Sequence, residues 1–261
     1  MVRRYAKPVV FLLCLLPAAW LVAGIIALQS GDATSVAARA LGANPVEKIQ
    51  DTLGIWGLRL LLATLSVTPL RVLLGWPKLY LFRRMLGLFA FFYIAMHFLW
   101  YLFVDQAFDW VTLAADVVKR PYVTAGFTAF VLLVPLAATS TARAMRRLGR
   151  RWQRLHWLVY AAAVLGCVHF WWQVKADIRE PALYAGIAAL LLGWRVVQTQ
   201  LRRRALRVAS AIPASIRSPP PTVRSSTDSP SSHQPSIAAS TGSPTDATAT
   251  NSGSRWRSDQ L

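Results

Sequence analysis

Residues 85–104 read MLGLFAFFYIAMHFLWYLFV: twenty residues with one histidine, His97, and no charged side chain, preceded by Arg83 and Arg84 and followed by Asp105. A run of about 20 apolar residues is long enough to cross the hydrocarbon core of a bilayer as one helix. Five more runs read the same way, at 9–28, 54–74, 122–139, 156–173 and 182–200. Pro17, Pro69 and Pro135 fall inside them, and membrane helices tolerate proline better than soluble ones. Strands of a membrane barrel would be short and alternating, and these runs are neither. The expected fold class is therefore all-α: a polytopic membrane protein with six transmembrane helices. The first run follows Arg3, Arg4 and Lys7 as a signal peptide would. It exceeds the usual apolar core of such a peptide, about 7–15 residues, and is read as a retained helix.

The charges lie between the runs, and their distribution sets the orientation. Of 261 residues, 55% are hydrophobic, yet 29 are Lys or Arg against 11 Asp or Glu, a net charge of +18. The N-terminus, the loop with Arg71, Lys78, Arg83 and Arg84, the loop from Arg143 to Arg154, and the segment after Arg202 hold 21 of the 29 basic residues. The other three loops hold six basic residues against eight acids. That alternation is the positive-inside pattern repeated at every loop. It places both termini in the cytoplasm and, in a bacterium, the acidic loops in the periplasm. The expected location is the bacterial inner membrane, multi-pass, with the lipid bilayer as surroundings. The arginine block at 143–154 sits between two spans, so it reads as an orientation signal, and no nucleic-acid partner is expected.

Two segments divide the chain. Residues 1–208 form the six-helix domain. Residues 209–261 are rich in Ser, Thr and Pro, with few large apolar side chains, and are expected to be a disordered cytoplasmic tail. His233 lies in that tail as an ordinary solvated residue. Cys14 and Cys167 stand in different spans with no Cys-x-x-Cys spacing. They are expected to pack as small apolar residues, with neither a disulfide nor a zinc or iron–sulfur site.

Three histidines, His97, His156 and His169, fall within the runs. Ionisable residues inside a membrane are costly and usually functional. Almost no carboxylate accompanies them, which argues against a proton relay, whereas imidazole is a common ligand of haem iron. Depth selects the pair. His97 lies 13 residues beyond Arg84 and His169 lies 15 beyond Arg154. These distances set both histidines about 20 and 22 Å from the cytoplasmic boundary. They are level in the outer half of the membrane, as two axial ligands of one iron must be. The alternative for this pair is polar packing.

His156 is only two residues past Arg154, near the cytoplasmic face, too far along its helix to share an iron with His169. Fourteen residues before His97, at its level, stands Arg83. Arginine stays protonated and does not ligate iron. His156 is thus an alternative or second haem ligand, or an interfacial hydrogen-bonding residue. On an ideal helix His156 and His169 point about 140° apart, so either the two sites do not share a face or the helix deviates locally. Arg59 lies at a depth overlapping the proposed haem, as a propionate contact or a side chain snorkelling to the interface. Trp100, Tyr101, Trp171 and Trp172 suit an interfacial aromatic belt.

Several stretches carry a resemblance: LGANPVEKIQD at 41–51, LATLSVTPL at 62–70, RRMLGL at 83–88, RPY at 120–122, TSTARAM at 139–145, and LGRRWQRLH at 148–156 leading on to Val159, Tyr160 and His169. Together they span most of residues 1–200, and the chain resembles the MsrQ family, within the wider ferric-reductase-like transmembrane proteins. The resemblance implies a haem b electron-transfer subunit rather than a catalytic one. It implies quinol as donor and a periplasmic molybdenum-containing methionine sulfoxide reductase as acceptor, for repair of oxidised periplasmic proteins. It also implies FMN, for which residue chemistry gives no site; Arg83 is a possible propionate, flavin or quinone contact. His97, His156 and His169 carry over as haem-associated residues, and the family pattern alone admits His97 with His156. Two other readings compete. A stand-alone transmembrane ferric or oxygen reductase would need a separate donor, since the tail has no glycine-rich dinucleotide fingerprint. A non-redox transporter or scaffold would need no level histidines, and no internal repeat supports a transporter. Loops 29–53 and 105–121 are the places for partner docking.

Overall fold

The computed structural model describes residues 2–32, 34–174 and 176–211. The described chain is helical throughout: α1 (Val2–Gln29), α2 (Val36–Leu41), α3 (Pro45–Leu73), α4 (Tyr80–Trp100), α5 (Trp110–Lys119), α6 (Pro121–Ala138), α7 (Ala142–Leu148), α8 (Arg150–Leu155), α9 (Leu158–Gln173) and α10 (Arg179–Ala211). Six stretches are long and apolar enough to cross a membrane: Ala6–Gln29, Pro45–Leu73, Pro77–Asp105, Pro121–Ala138, Arg150–Gln173 and Arg179–Val208. They contain four of the six expected spans, and the other two, 54–74 and 122–139, run one residue past their stretches. The expected disordered tail, from residue 212 onward, lies outside the described residues, and α10 continues to Ala211, past the boundary drawn at 208.

Local sequence fixes where the central helices begin. Asn44 caps α3 by accepting from the Glu47 amide, and Pro45 occupies the first turn, where its missing N–H costs nothing. The helix therefore starts nine residues before the apolar run at 54–74. Ile49 and Leu53 are already buried in that extension, while Glu47, Lys48 and Asp51 are exposed. Pro121 starts α6 in the same way. Before it, Asp109 caps the amphipathic α5, accepting from the amides of Val111 and Thr112 and from the Thr112 hydroxyl. The hydrogen bonds from Thr112, then that from Val111, hold the Asp109 carboxyl below its ordinary value. The cap is therefore at full strength above the usual carboxylate range and weakens as pH falls through the lowered value.

Four helices, α3, α4, α6 and α9, surround the core, with α1 and α10 packed on its flanks. Ala90, Ala162 and Ala163 are almost fully buried, and small side chains of this kind let membrane helices approach closely. Phe130 of α6 stacks on Phe91 and Phe98 of α4, with centroids 6.0 and 4.8 Å away, and spaces those two helices. Cys14 and Cys167 are buried free thiols, as expected.

Tyr93, at 0% exposure, ties α1 to α4. Its hydroxyl donates to the Cys14 carbonyl at 2.7 Å and accepts from the Ala18 amide at 3.0 Å. It thereby bridges a carbonyl and an amide four residues apart, beside Pro17, whose ring disturbs the helix ladder there. Tyr93→Phe leaves those buried groups short of a partner, which costs about 1–3 kcal/mol. The expected result is a thermal unfolding midpoint several degrees lower in detergent, with the exposed Tyr80→Phe change as the unaffected control.

Candidate functional site

His97 of α4 and His169 of α9 meet in the bundle with ring centroids 6.1 Å apart and planes at 80°. Each is held from the opposite helix of its own hairpin. His97 Nδ1 lies 2.9 Å from the Gln50 carbonyl of α3, and His169 Nδ1 lies 2.7 Å from the Tyr122 carbonyl of α6. A carbonyl can only accept, so in both rings Nδ1 carries the proton and Nε2 keeps its lone pair. One turn after each carbonyl is a glycine on which the ring rests. A Cβ on Gly54 would come within 3.0 Å of the His97 ring, and one on Gly126 within 2.7 Å of His169 Nδ1.

These two half-sites have the same plan. Both carbonyl-to-imidazole pairs are separated by 47 residues, and in both the glycine follows the carbonyl by four. The hairpins α3–α4 and α6–α9 thus form a spatial repeat that the sequence reading did not find. The repeat lies in backbone roles and spacing, while the residue types differ (Gln50 against Tyr122). Equal spacing from each histidine back to a glycine was the available signal. The α3 half was also hidden because Gln50 sits in the polar first turns of that helix, outside the apolar run.

The donor set has a definite chemical meaning. An imidazole–metal bond of about 2.0 Å at each Nε2 places the ring centres of two axial ligands slightly more than 6 Å apart, which the observed 6.1 Å matches. Two imidazoles cannot complete an iron's coordination, and no group of three or more His, Cys, Asp or Glu able to hold a metal ion occurs among the described residues. The site therefore suits a metal that arrives with its own equatorial ligands. The Gln50 side-chain amide lies 3.5 Å from His97 Nε2, and its Oε1 is buried with no partner among the described residues.

His156 stands apart from this pair. The helix expected from 156 is interrupted: His156 and Trp157 form a turn between α8 and α9, which begins at Leu158. This is the local deviation that the angular argument allowed. The His156 ring stacks on Trp152 with centroids 3.8 Å apart, and its Nδ1 lies 3.1 Å from the Trp152 carbonyl. Trp152 is itself fixed by its indole N–H to the Thr139 carbonyl at 3.0 Å. Arg83 lies close enough for its charge to act on both His156 and Arg195. Arg195 sits over the Tyr160 ring at 4.8 Å, and the Tyr160 hydroxyl is buried with no partner among the described residues. Arg59 is turned elsewhere. Its Nε donates to the Tyr184 hydroxyl at 2.8 Å, and its guanidinium lies 5.2 Å from the Trp56 ring. Five residues along α3 set it about 140° around the helix from Gly54.

Residues 53–167 match the family model described as "Ferric reductase like transmembrane component". The protein-methionine-sulfoxide reductase heme-binding subunit MsrQ of Xanthomonas campestris pv. campestris (strain 8004) is 58% identical over 174 residues, 67% of this chain and 80% of that protein. The subunit of the same name from Xanthomonas euvesicatoria pv. vesicatoria (strain 85-10) is 53% identical over 179 residues, covering 68% and 82% of the two chains. That from Rhodospirillum rubrum is 50% identical over 208 residues, 79% of this chain and 95% of the relative. No solved structure matches the chain.

Proposed function

The chain belongs to the MsrQ family, and from that premise we propose that it is a haem b subunit in the bacterial inner membrane. In this reading it passes electrons from membrane quinol to a periplasmic, molybdenum-containing methionine sulfoxide reductase, which repairs oxidised periplasmic proteins. The six apolar helices and the transmembrane family make it a multi-pass membrane protein. The observation that carries the haem reading is the facing pair His97 and His169, each with Nδ1 committed to a backbone carbonyl.

His97 and His169 would hold a bound haem between them, and the haem would supply a one-electron carrier. The chain's part is position and environment. The Gln50 and Tyr122 carbonyls fix the imidazole tautomers and raise ligand basicity. The positive-inside distribution puts both termini in the cytoplasm and this pair in the outer half of the membrane, which shortens the path to a periplasmic acceptor.

His156, near the cytoplasmic face, serves as an alternative or second haem ligand. Arg83, whose charge reaches both His156 and Arg195, offers positive charge to a haem propionate, a flavin phosphate or a quinone oxygen. The FMN of this reading rests on family membership. Arg59, held by Tyr184 and Trp56, serves as a propionate contact only if that pairing opens.

Purified protein is expected to be reduced by a quinol analogue and reoxidised by the periplasmic reductase with methionine sulfoxide present, followed by its haem spectrum. Reoxidation by ferric ion or oxygen alone, at the same rate with or without the reductase, would favour a stand-alone reductase. A haem-free preparation from haem-replete cells would remove both redox readings and leave a transporter or scaffold.

A further inference from the structure

Between α1 and α4 lies a groove of about 530 Å³, lined on one side by the first part of the helix that carries His97. Its walls are apolar, with Phe11 and Leu15 from α1 and Leu88 and Phe92 from α4. Its polar rim consists of Lys7 and Arg84. Both cations are exposed, and neither has an ion-pair partner among the described residues. Lys7 is the second residue of its membrane-spanning stretch and Arg84 the eighth of its own, so both lie toward the same end of the groove. Lys7 to Leu15 and Arg84 to Phe92 are both eight residues, about 12 Å of helix. The groove is therefore charged at one end and apolar for roughly the length of an upper acyl chain.

We propose that this groove holds one anionic phospholipid, its phosphate between Lys7 and Arg84 and an acyl chain against Phe11, Leu15, Leu88 and Phe92. Charge complementarity selects this occupant. Basic pockets between membrane helices attract anionic headgroups, and a zwitterionic lipid would leave the two cations only partly compensated. A quinol would fit the volume, but the groove offers it no carboxylate or imidazole to accept a proton. The surrounding faces of α1, with Leu12, Leu13 and Leu16 exposed, contact ordinary lipid without such a rim.

The test uses full-length, haem-loaded protein and native mass spectrometry, titrating phosphatidylglycerol against phosphatidylcholine of matched chains. One phosphatidylglycerol should be retained with a preference of about thirtyfold, the size expected for two cations close to a headgroup. Lys7→Gln with Arg84→Gln should bring the preference near parity. Arg203→Gln with Arg204→Gln, which removes as much charge elsewhere, should leave it unchanged. Leu15→Trp keeps both cations while filling the groove, and should lower retention of both lipids; it reads the site independently should the double variant fold poorly. Equal retention of the two lipids by the wild type, a preference that survives loss of Lys7 and Arg84, or a quinone retained in place of lipid would each overturn the proposal.

Discussion

His97→Ala and His169→Ala are each expected to abolish the b-type haem spectrum of the paired site, whereas His156→Ala keeps it. The asymmetry follows from geometry. His97 and His169 lie with ring centroids 6.1 Å apart, a separation that one iron between their Nε2 atoms would fit, and an iron deprived of one of these imidazoles would keep half its protein ligands. His156 lies in a separate turn stacked on Trp152, with no contact to that pair. The measurement is a reduced-minus-oxidised spectrum with haem quantified per protein. Full occupancy of a bis-imidazole spectrum in His169→Ala would sink the pairing and favour His97 with His156. If the pair were only polar packing, the wild type would hold no haem and both substitutions would act on stability alone. A loss confined to part of the haem in His97→Ala, with the remainder lost in His156→Ala, would identify His156 as the ligand of a second haem.

Much of this was legible before the fold was known, because a bilayer simplifies the problem. Apolar runs must be helices, and a helix converts residue count into depth. That is why arithmetic from Arg84 and Arg154 sufficed to expect His97 and His169 at one level, where their rings meet, and His156 at another. Several features escaped because they are carried by backbone atoms or by polar residues. Gln50 and Tyr122 act through carbonyls, which any residue provides, so their identities advertise nothing. Gly54 and Gly126 act by lacking a side chain. The start of α3 at Pro45 was missed because hydrophobicity marks where a helix is buried in lipid, and its first two turns are polar. The capping residues Asn44 and Pro45 were present in the sequence and would have drawn the boundary correctly. The interruption at His156 has no proline or glycine to announce it. Its neighbours, Trp152 and Trp157, are good helix residues, and the turn is held by the stacked ring and the Trp152–Thr139 hydrogen bond.

Gly126→Ala should cost about 10–100-fold in haem affinity, the usual range when the group orienting a metal-bound histidine is disturbed. An added Cβ would lie 2.7 Å from His169 Nδ1 and 2.9 Å from Cε1, closer than carbon and nitrogen tolerate. The ring cannot simply retreat, since Nδ1 is bonded to the Tyr122 carbonyl one turn earlier on the same helix. Moving away breaks that bond and turns Nε2 out of line. Gly54→Ala should do less, because its Cβ meets the His97 ring at 3.0 Å, where a shift of a few tenths of an ångström suffices. Gly193→Ala, with nothing within 4 Å, should leave haem binding unchanged. The size of a second measurement separates this account from general damage. Alanine is favoured over glycine inside a helix by about 0.5–1 kcal/mol. In the haem-free protein that gain offsets part of the roughly 1–3 kcal/mol cost of the lost Nδ1 bond, so Gly126→Ala should lower the haem-free unfolding midpoint only slightly while binding haem far less well. A variant that lost haem and helix stability together would point to misfolding, and the glycine would then owe its place to helix packing instead of to the histidine that rests on it.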